Sequence, residues 1–210
     1  MNMTLDFLLK RAGLESETVR SRVQAFYQQL QRENEIQNLT RLISGEDFLN
    51  GHVLDVLELL NLGWVEFPAL DMGSGGGIPG LLAAAIQESQ WILCDSEKRK
   101  AEYLFRVVSE LGLNDSVQVF SGRAEDYLKN HSVKSVVARA VGPVDRLYSW
   151  IRKCSTWNTL ILLKGPSWEV EWKRFQKNRW SDELKLRDEY SYSVGPEAKR
   201  RRIIRLDRTI

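Results

Sequence analysis

The sequence predicts an α/β fold: a mostly parallel sheet wound with helices, closed at one edge by an antiparallel element and preceded by N-terminal helices. Three observations predict it. Short apolar runs alternate with helical patterns from about residue 67 onward. The first of these runs ends in a glycine-rich segment, Asp71-Met72-Gly73-Ser74-Gly75-Gly76-Gly77-Ile78-Pro79-Gly80. The last two runs are joined without a long helix, which suits antiparallel strands.

The 210 residues, 43% of them hydrophobic, suit one domain with a small extension. Residues 1–62 are expected to be a helical extension packed on the core, and residues 63–210 the sheet domain. In the extension, Val19, Val23, Phe26, Tyr27 and Leu30 recur at helical spacing. Phe48, Leu49, His52, Val53, Val56, Leu57 and Leu60 do the same, and Ser44 with Asp47 forms a capping pair ahead of them. Strands are expected at Phe67–Met72, Trp91–Asp95, Val117–Phe120, Val133–Arg139 and Thr159–Leu163. Helices are expected at Pro79 to about Gln87, at Glu97–Leu111, which Gly112 ends, and at Trp168 to about Trp180. Leu184–Val194 and Arg202–Leu206 are expected to form the closing hairpin.

Thirty Lys and Arg against 28 Asp and Glu give a net charge of +2, so local clusters must identify the partner. Cys94 and Cys154 match no metal spacing and read as structural thiols in a reducing compartment. Asp6, Lys10 and Arg11 interrupt the first apolar run, so no signal-peptide pattern is present. No run approaches the ~20 apolar residues of a membrane span. A cytoplasmic protein without membrane or metal partners is expected.

The glycines allow a sharp turn after the strand and a close approach of backbone to a ligand. Pro79 suits the start of the next helix. Asp95 ends the next strand, 18 positions beyond Gly77, where a carboxylate can accept both ribose hydroxyls of a nucleoside. A nucleoside-bearing cofactor follows. Gly75-x-Gly77-x-x-Gly80 also matches the dinucleotide fingerprint, so an NAD-dependent oxidoreductase is one alternative, although no Tyr-x-x-x-Lys proton relay is evident. S-adenosyl-L-methionine is favoured, because Asp71 stands two residues before the first glycine. It suits a cationic methionine end and would repel a pyrophosphate. A non-catalytic RNA-binding protein with a vestigial cofactor loop is the other alternative.

Lys98, Arg99 and Lys100 crowd the first turn of a helix, where the macrodipole disfavours cations, and are read as phosphate contacts. Lys199-Arg200-Arg201-Arg202 must lie at a strand end or in a turn, because four charges do not fit inside a covered sheet; Arg200 and Arg202 are candidate RNA contacts. The aromatic stripe from Trp168 to Phe175 is read as core. His52 lies on an apolar helical face, either as a core histidine or lining a cleft. Arg123 and Arg139 flank apolar strands and either face a cleft or pair with a local carboxylate such as Glu125 or Asp145.

Several further segments join the loop in one ordered set. They are Asn38-Leu39-Thr40, His52-Val53-Leu54-Asp55, Leu93-Cys94-Asp95-Ser96, Gly122-Arg123-Ala124-Glu125, Ala138-Arg139-Ala140 and Leu163-Lys164-Gly165. On these residues the chain resembles, over nearly its whole length, the bacterial RsmG family, also called GidB. The resemblance implies a Rossmann-like class I methyltransferase sheet. It implies methyl transfer from S-adenosyl-L-methionine to N7 of a guanine in 16S (small-subunit) ribosomal RNA, with naked RNA or a ribosomal particle as partner. By position it implies that Gly73, Gly75 and Ile78 contact the methionine part, that Asp95 holds the ribose, and that Ala124 and Glu125 contact the adenine. Arg139 would sit beside cofactor and guanine as the substrate-orienting residue, and Lys164 would face the same cleft. With the cation pattern read above, the expected RNA contacts are His52, Lys98, Arg99, Lys100, Arg123, Lys164, Arg200 and Arg202. The chain departs from the family pattern at Glu33-Asn34-Glu35, at Gly51 and at Val56.

Guanine N7 carries a lone pair and no proton, so its methylation needs no general base. The sequence agrees: no Asn/Asp-Pro-Pro-aromatic motif follows the fourth strand, as adenine N6 chemistry would suggest. No paired catalytic cysteines appear, as cytosine C5 chemistry would need.

Overall fold

The computed structural model describes residues 4–195 and 197–209. Helix α1 (Leu5–Arg11) opens on Thr4, whose hydroxyl accepts the Phe7 N–H. Its seven residues carry too little periodicity to be seen in the sequence. Helix α2 (Glu17–Gln37) begins at Ser16, whose hydroxyl accepts the Val19 N–H, and ends at Asn38 in the left-handed region. The next helical run has three parts: α3 (Gly45–Phe48), a π-helical turn (Leu49–Val53) and α4 (Leu54–Asn61). The expected capping pair is present: Ser44 Oγ accepts the Asp47 N–H at 3.1 Å and donates to Asp47 Oδ2 at 2.7 Å.

Seven strands form one sheet: β1 (Ala69–Met72), β2 (Trp91–Asp95), β3 (Val117–Ser121), β4 (Ser135–Arg139), β5 (Thr159–Lys164), β6 (Leu184–Val194) and β7 (Lys199–Arg208). Their order is β3-β2-β1-β4-β5-β7-β6. The first five are parallel, and β7 runs antiparallel to both β5 and β6. Helices α5 (Gly80–Ile86), α6 (Lys98–Glu110), α7 (Ala124–Leu128), α8 (Val144–Ile151) and α9 (Trp168–Phe175) fill the connections. This is the Rossmann-like sheet with an antiparallel edge that the sequence predicts. The chain winds outward in opposite directions from β1, so the loop after β1 lies at the switch point where open α/β sheets bind ligands.

Element ends differ from expectation where local chemistry intervenes. The first strand starts at Ala69, two residues late. The fourth starts at Ser135, and the helix expected to reach Trp180 stops at Phe175 and gives way to turns. Helices α7 and α8, of five and eight residues, were too short to predict individually.

Strand alternation divides the core in two. Leu93, Val137, Ile161 and Ile203 face a cluster shared with α2, α4, α5 and α6. Leu70, Val136, Leu160 and Ile204 face a cluster shared with α8 and α9. The N-terminal helices therefore pack in the same apolar mass as one face of the sheet. They also press on the glycine loop: a Cβ at Gly77, where φ is +86°, would lie 3.1 Å from Phe26 Cε2. Among the described residues, no helix is long and apolar enough to cross a membrane.

All seven tryptophans lie beyond residue 62, so their fluorescence reports the sheet. Phe26→Ala is expected to lower the urea stability read by fluorescence by about 3–5 kcal/mol. Ile36→Ala, exposed on the same helix, should change it by less than about 0.5 kcal/mol. A fluorescence transition unmoved by Phe26→Ala would show that helices and sheet unfold separately.

Candidate active site

The loop after β1 begins with Gly73 at φ +74°. A Cβ there would lie 2.7 Å from Val141 Cγ2, so glycine is required by both conformation and space. Val141 reaches this point because Ala140, just after β4, takes the left-handed φ of +58°. That conformation costs an alanine on the order of 1–2 kcal/mol and is typical of strain held at functional sites.

Beneath the loop, Asp71 is fully buried, and its Oδ2 accepts the Gly80 N–H at 3.0 Å, satisfying the first amide of α5. Its Oδ1 has no hydrogen-bond partner among the described residues. Burial pushes the carboxyl up to about 7, with the Asp95 charge adding and the Gly80 and Ser74 hydrogen bonds opposing. The direct contact with a cationic ligand expected of Asp71 is therefore corrected. The side chain lies behind the loop and acts through the backbone it holds.

In front of the loop is a cleft with two adjoining lobes. The larger, about 300 Å3, is lined by Thr40, His52, Gly73, Gly75, Ile78, Asp95, Lys100 and Arg139, among others. The smaller, about 90 Å3, is lined by Asp95, Arg123, Ala124, Glu125 and Trp150, among others. Gly73, Asp95 and Val141 line both. Asp95 at the end of β2 is fixed at the junction: Oδ2 accepts the Gly75 N–H and Oδ1 the Glu97 N–H, each at 2.9 Å. Each oxygen keeps a further lone pair for a ligand hydroxyl.

Arg139, ending β4, points toward α4 rather than to Glu125 or Asp145. Its Nη2 donates to the Gly51 carbonyl at 2.7 Å and lies 3.4 Å from Asp55 Oδ2. Asp145 pairs instead with Arg174. Asp55 also accepts the Tyr192 hydroxyl at 2.7 Å, and burial with the Asp55 charge pushes that phenol up. Burial pulls the guanidinium of Arg139 down and Asp55 opposes it. His52 sits on the π-helical turn with Nε2 3.2 Å from Thr40 Oγ1. Burial, then the Arg139 charge, lowers it to about 3, so it is neutral at neutral pH. Asp55 and Tyr192 escaped sequence reasoning as site residues, because their contact spans 137 positions and leaves no local pattern.

Of the other predicted cations, Lys100 and Arg123 line the lobes and the rest lie outside them. Lys98 and Arg99 are exposed on the first turn of α6, with Lys98 3.8 Å from Glu102; Lys100 reaches Glu97 at 2.7 Å. Arg123 caps α7 and makes no ion pair among the described residues. Two expectations of RNA contact are corrected. Lys164 donates to the Gly142 carbonyl and to Glu171, each at 2.7 Å, and is almost buried. Arg202 is buried between Glu169 and Glu189, because strand alternation turns it to the face covered by α9. Arg200 is exposed and lines neither lobe. Glu33, a departure from the family pattern, is buried and ion-paired with Arg106 on α6.

Residues 20–195 match the family described as rRNA small subunit methyltransferase G. A relative from Rhodopirellula baltica, "Ribosomal RNA small subunit methyltransferase G", is 33% identical over 193 residues, covering 90% of this chain and 83% of its own. Among solved structures, a protein in the NADB-Rossmann superfamily from Streptococcus agalactiae matches with a TM-score of 0.53 at 18% identity, covering 73% of this chain and 67% of its own. TrmK of M. capricolum, in complex with its cofactor product S-adenosyl-homocysteine, matches with a TM-score of 0.52 at 12% identity, covering 67% and 62%. These two show a shared fold. With the family match spanning most of its length, the chain belongs to the rRNA small subunit methyltransferase G family.

Proposed function

We propose that this protein transfers a methyl group from S-adenosyl-L-methionine to N7 of a guanine in small-subunit ribosomal RNA. The observation that carries the reading is the two-lobed cleft with Asp95 at its junction. The residues fit the cofactor: Gly73, held at φ +74° under Val141, lines both lobes with bare backbone, and Asp95 keeps acceptor capacity between them. Gly73, Gly75 and Ile78 would hold the methionine part, Asp95 the ribose, and Ala124 and Glu125 the adenine. When bound, the cofactor supplies an electrophilic methyl on a sulfonium.

What the chain adds is alignment and charge control. Arg139 is anchored by Asp55 and Gly51 and is suited to donate to guanine O6, leaving the N7 lone pair free. Holding the reactants in line can contribute up to about 7–11 kcal/mol. Methyl transfer to N7 would leave the guanine ring cationic, so the walls would need to tolerate one positive charge. A neutral His52, and an Arg139 balanced by Asp55, place little net positive charge beside it. N7 has no proton to remove, so no side chain acts as base. Lys100 and Arg123 in the lobes, with exposed Lys98 and Arg99 nearby, suit RNA phosphates.

Three outcomes are expected. Wild-type protein with methyl-labelled cofactor and small-subunit RNA should yield N7-methylguanine; label on an adenine or cytosine would refute the base assignment. Asp95→Ala should weaken cofactor binding about 10- to 150-fold by calorimetry, as loss of charge-assisted hydrogen bonds predicts, and NAD should not raise the melting temperature of the wild type. Cofactor affinity should also depend on pH. Asp71 loses its proton near pH 7, and the carboxylate both accepts better from Gly80 and favours a cationic ligand. Binding should therefore tighten as pH rises through about 7, and Asp71→Asn should remove that dependence.

A further inference from the structure

A second cleft of about 290 Å3, close in volume to the first lobe, lies between α3 with its π-helical turn and the β6–β7 hairpin. The main chain at Gly51 separates the two. Gly51 lines the second cleft while its carbonyl anchors Arg139, and the next residue, His52, lines the first. A Cβ at Gly51 would lie 2.6 Å from Leu42 Cδ1, so Leu42 packs directly on this glycine on the second-cleft side.

Arg201 lines this second cleft, half-buried, and makes no ion pair or side-chain hydrogen bond among the described residues. Its neighbours in the same cation run are already paired: Lys199 with Glu197 at 3.1 Å, and Arg202 with two glutamates on the other face of the sheet. The β6–β7 register sets Arg201 beside Tyr192, which bonds Asp55, the partner of Arg139. A half-buried cation without an ion pair favours an anion from outside the chain. The rest of the cleft does not suit a bare anion, because Glu46, Asp47 and Glu197 stand in its wall. Leu42 and Val194 offer apolar sides for a ring, and Glu46 and Asn50 offer acceptors for an exocyclic amine.

We propose that the second cleft takes the ribonucleotide next to the methylated guanine, with a phosphate on Arg201 and the base between Leu42 and Val194. This rests on the reading of the protein as an RNA methyltransferase and adds a subsite to it. Binding the neighbour on the far side of Gly51 would present the target guanine to the first cleft and would press on the segment that anchors Arg139.

The test is methyl-transfer kinetics on small-subunit RNA over a range of salt, with cofactor affinity measured in parallel. Arg201→Gln should raise KM for RNA at least about tenfold and reduce the slope of log KM against log salt by about one. Its cofactor affinity and melting curve should match the wild type. Arg201→Lys, which keeps the charge, should restore most of the lost affinity. Lys185→Ala, an exposed cation at the far end of the hairpin, should leave KM unchanged. Equal KM for Arg201→Gln and Lys185→Ala would overturn the subsite while leaving the methyltransferase reading intact. If the wild type transfers no methyl group to RNA, that reading itself fails. RNA retention by wild type and Arg201→Gln on a filter then decides the subsite independently: equal retention overturns it.

Discussion

The buried pair between Arg139 and Asp55 is the interaction on which the rest of the site depends. It joins the carboxyl end of β4 to α4 of the helical extension, elements separated in the chain by β1, β2 and β3. Both side chains are nearly removed from water, so loss of either leaves an uncompensated charge worth roughly 3–5 kcal/mol. The pair holds the π-helical turn against the sheet, and so sets His52 in the wall of the cleft that the glycine loop lines. Tyr192 then ties the closing hairpin to the same carboxylate. Helical extension, parallel sheet and antiparallel edge meet at one aspartate.

The glycine loop is confined in a related way. α2 presses on it through Phe26, Val141 covers Gly73, and the buried Asp71 holds the start of α5 from below. A backbone held from three sides pays its ordering entropy during folding rather than on binding, which favours tight and specific recognition. Confinement also explains the electrostatics. Burial drives both Asp71 and His52 toward their neutral forms, so the walls carry fewer charges than their composition suggests. For a methyl transfer that would leave the guanine ring cationic, such walls are favourable.

Sequence and structure agree best in the central sheet. β1, β2 and β5 are buried on both faces, and so appear as continuous apolar runs between turn residues. Agreement is poorer for α1, α7 and α8, which are too short for a period to show. The long helix expected from Trp168 ends at Phe175, where the polar stretch at residues 176–179 breaks the apolar pattern and backbone turns take over. The cation run at 199–202 illustrates a different failure. Composition marked it as charged and near a strand end, which it is. Which residues face the α9 side and which the second cleft depends on how β7 pairs with β5 and β6, and a shift of one residue would exchange them.

By itself the sequence determined the alternation of strands and helices, the glycine turn at the first strand end, the acid at the second, and the family resemblance. All of these are local patterns in which residue type and spacing carry the physics. Only the tertiary structure decided that Asp71 works from behind the loop, that Arg139 is held by Asp55 and the Gly51 carbonyl, and that Lys164 and Arg202 are consumed in internal ion pairs. The reason is common to all three. Burial and pairing depend on which elements the fold brings together, as when Arg139 meets Gly51 across 88 positions, and a charge is free or spent according to what is packed against it.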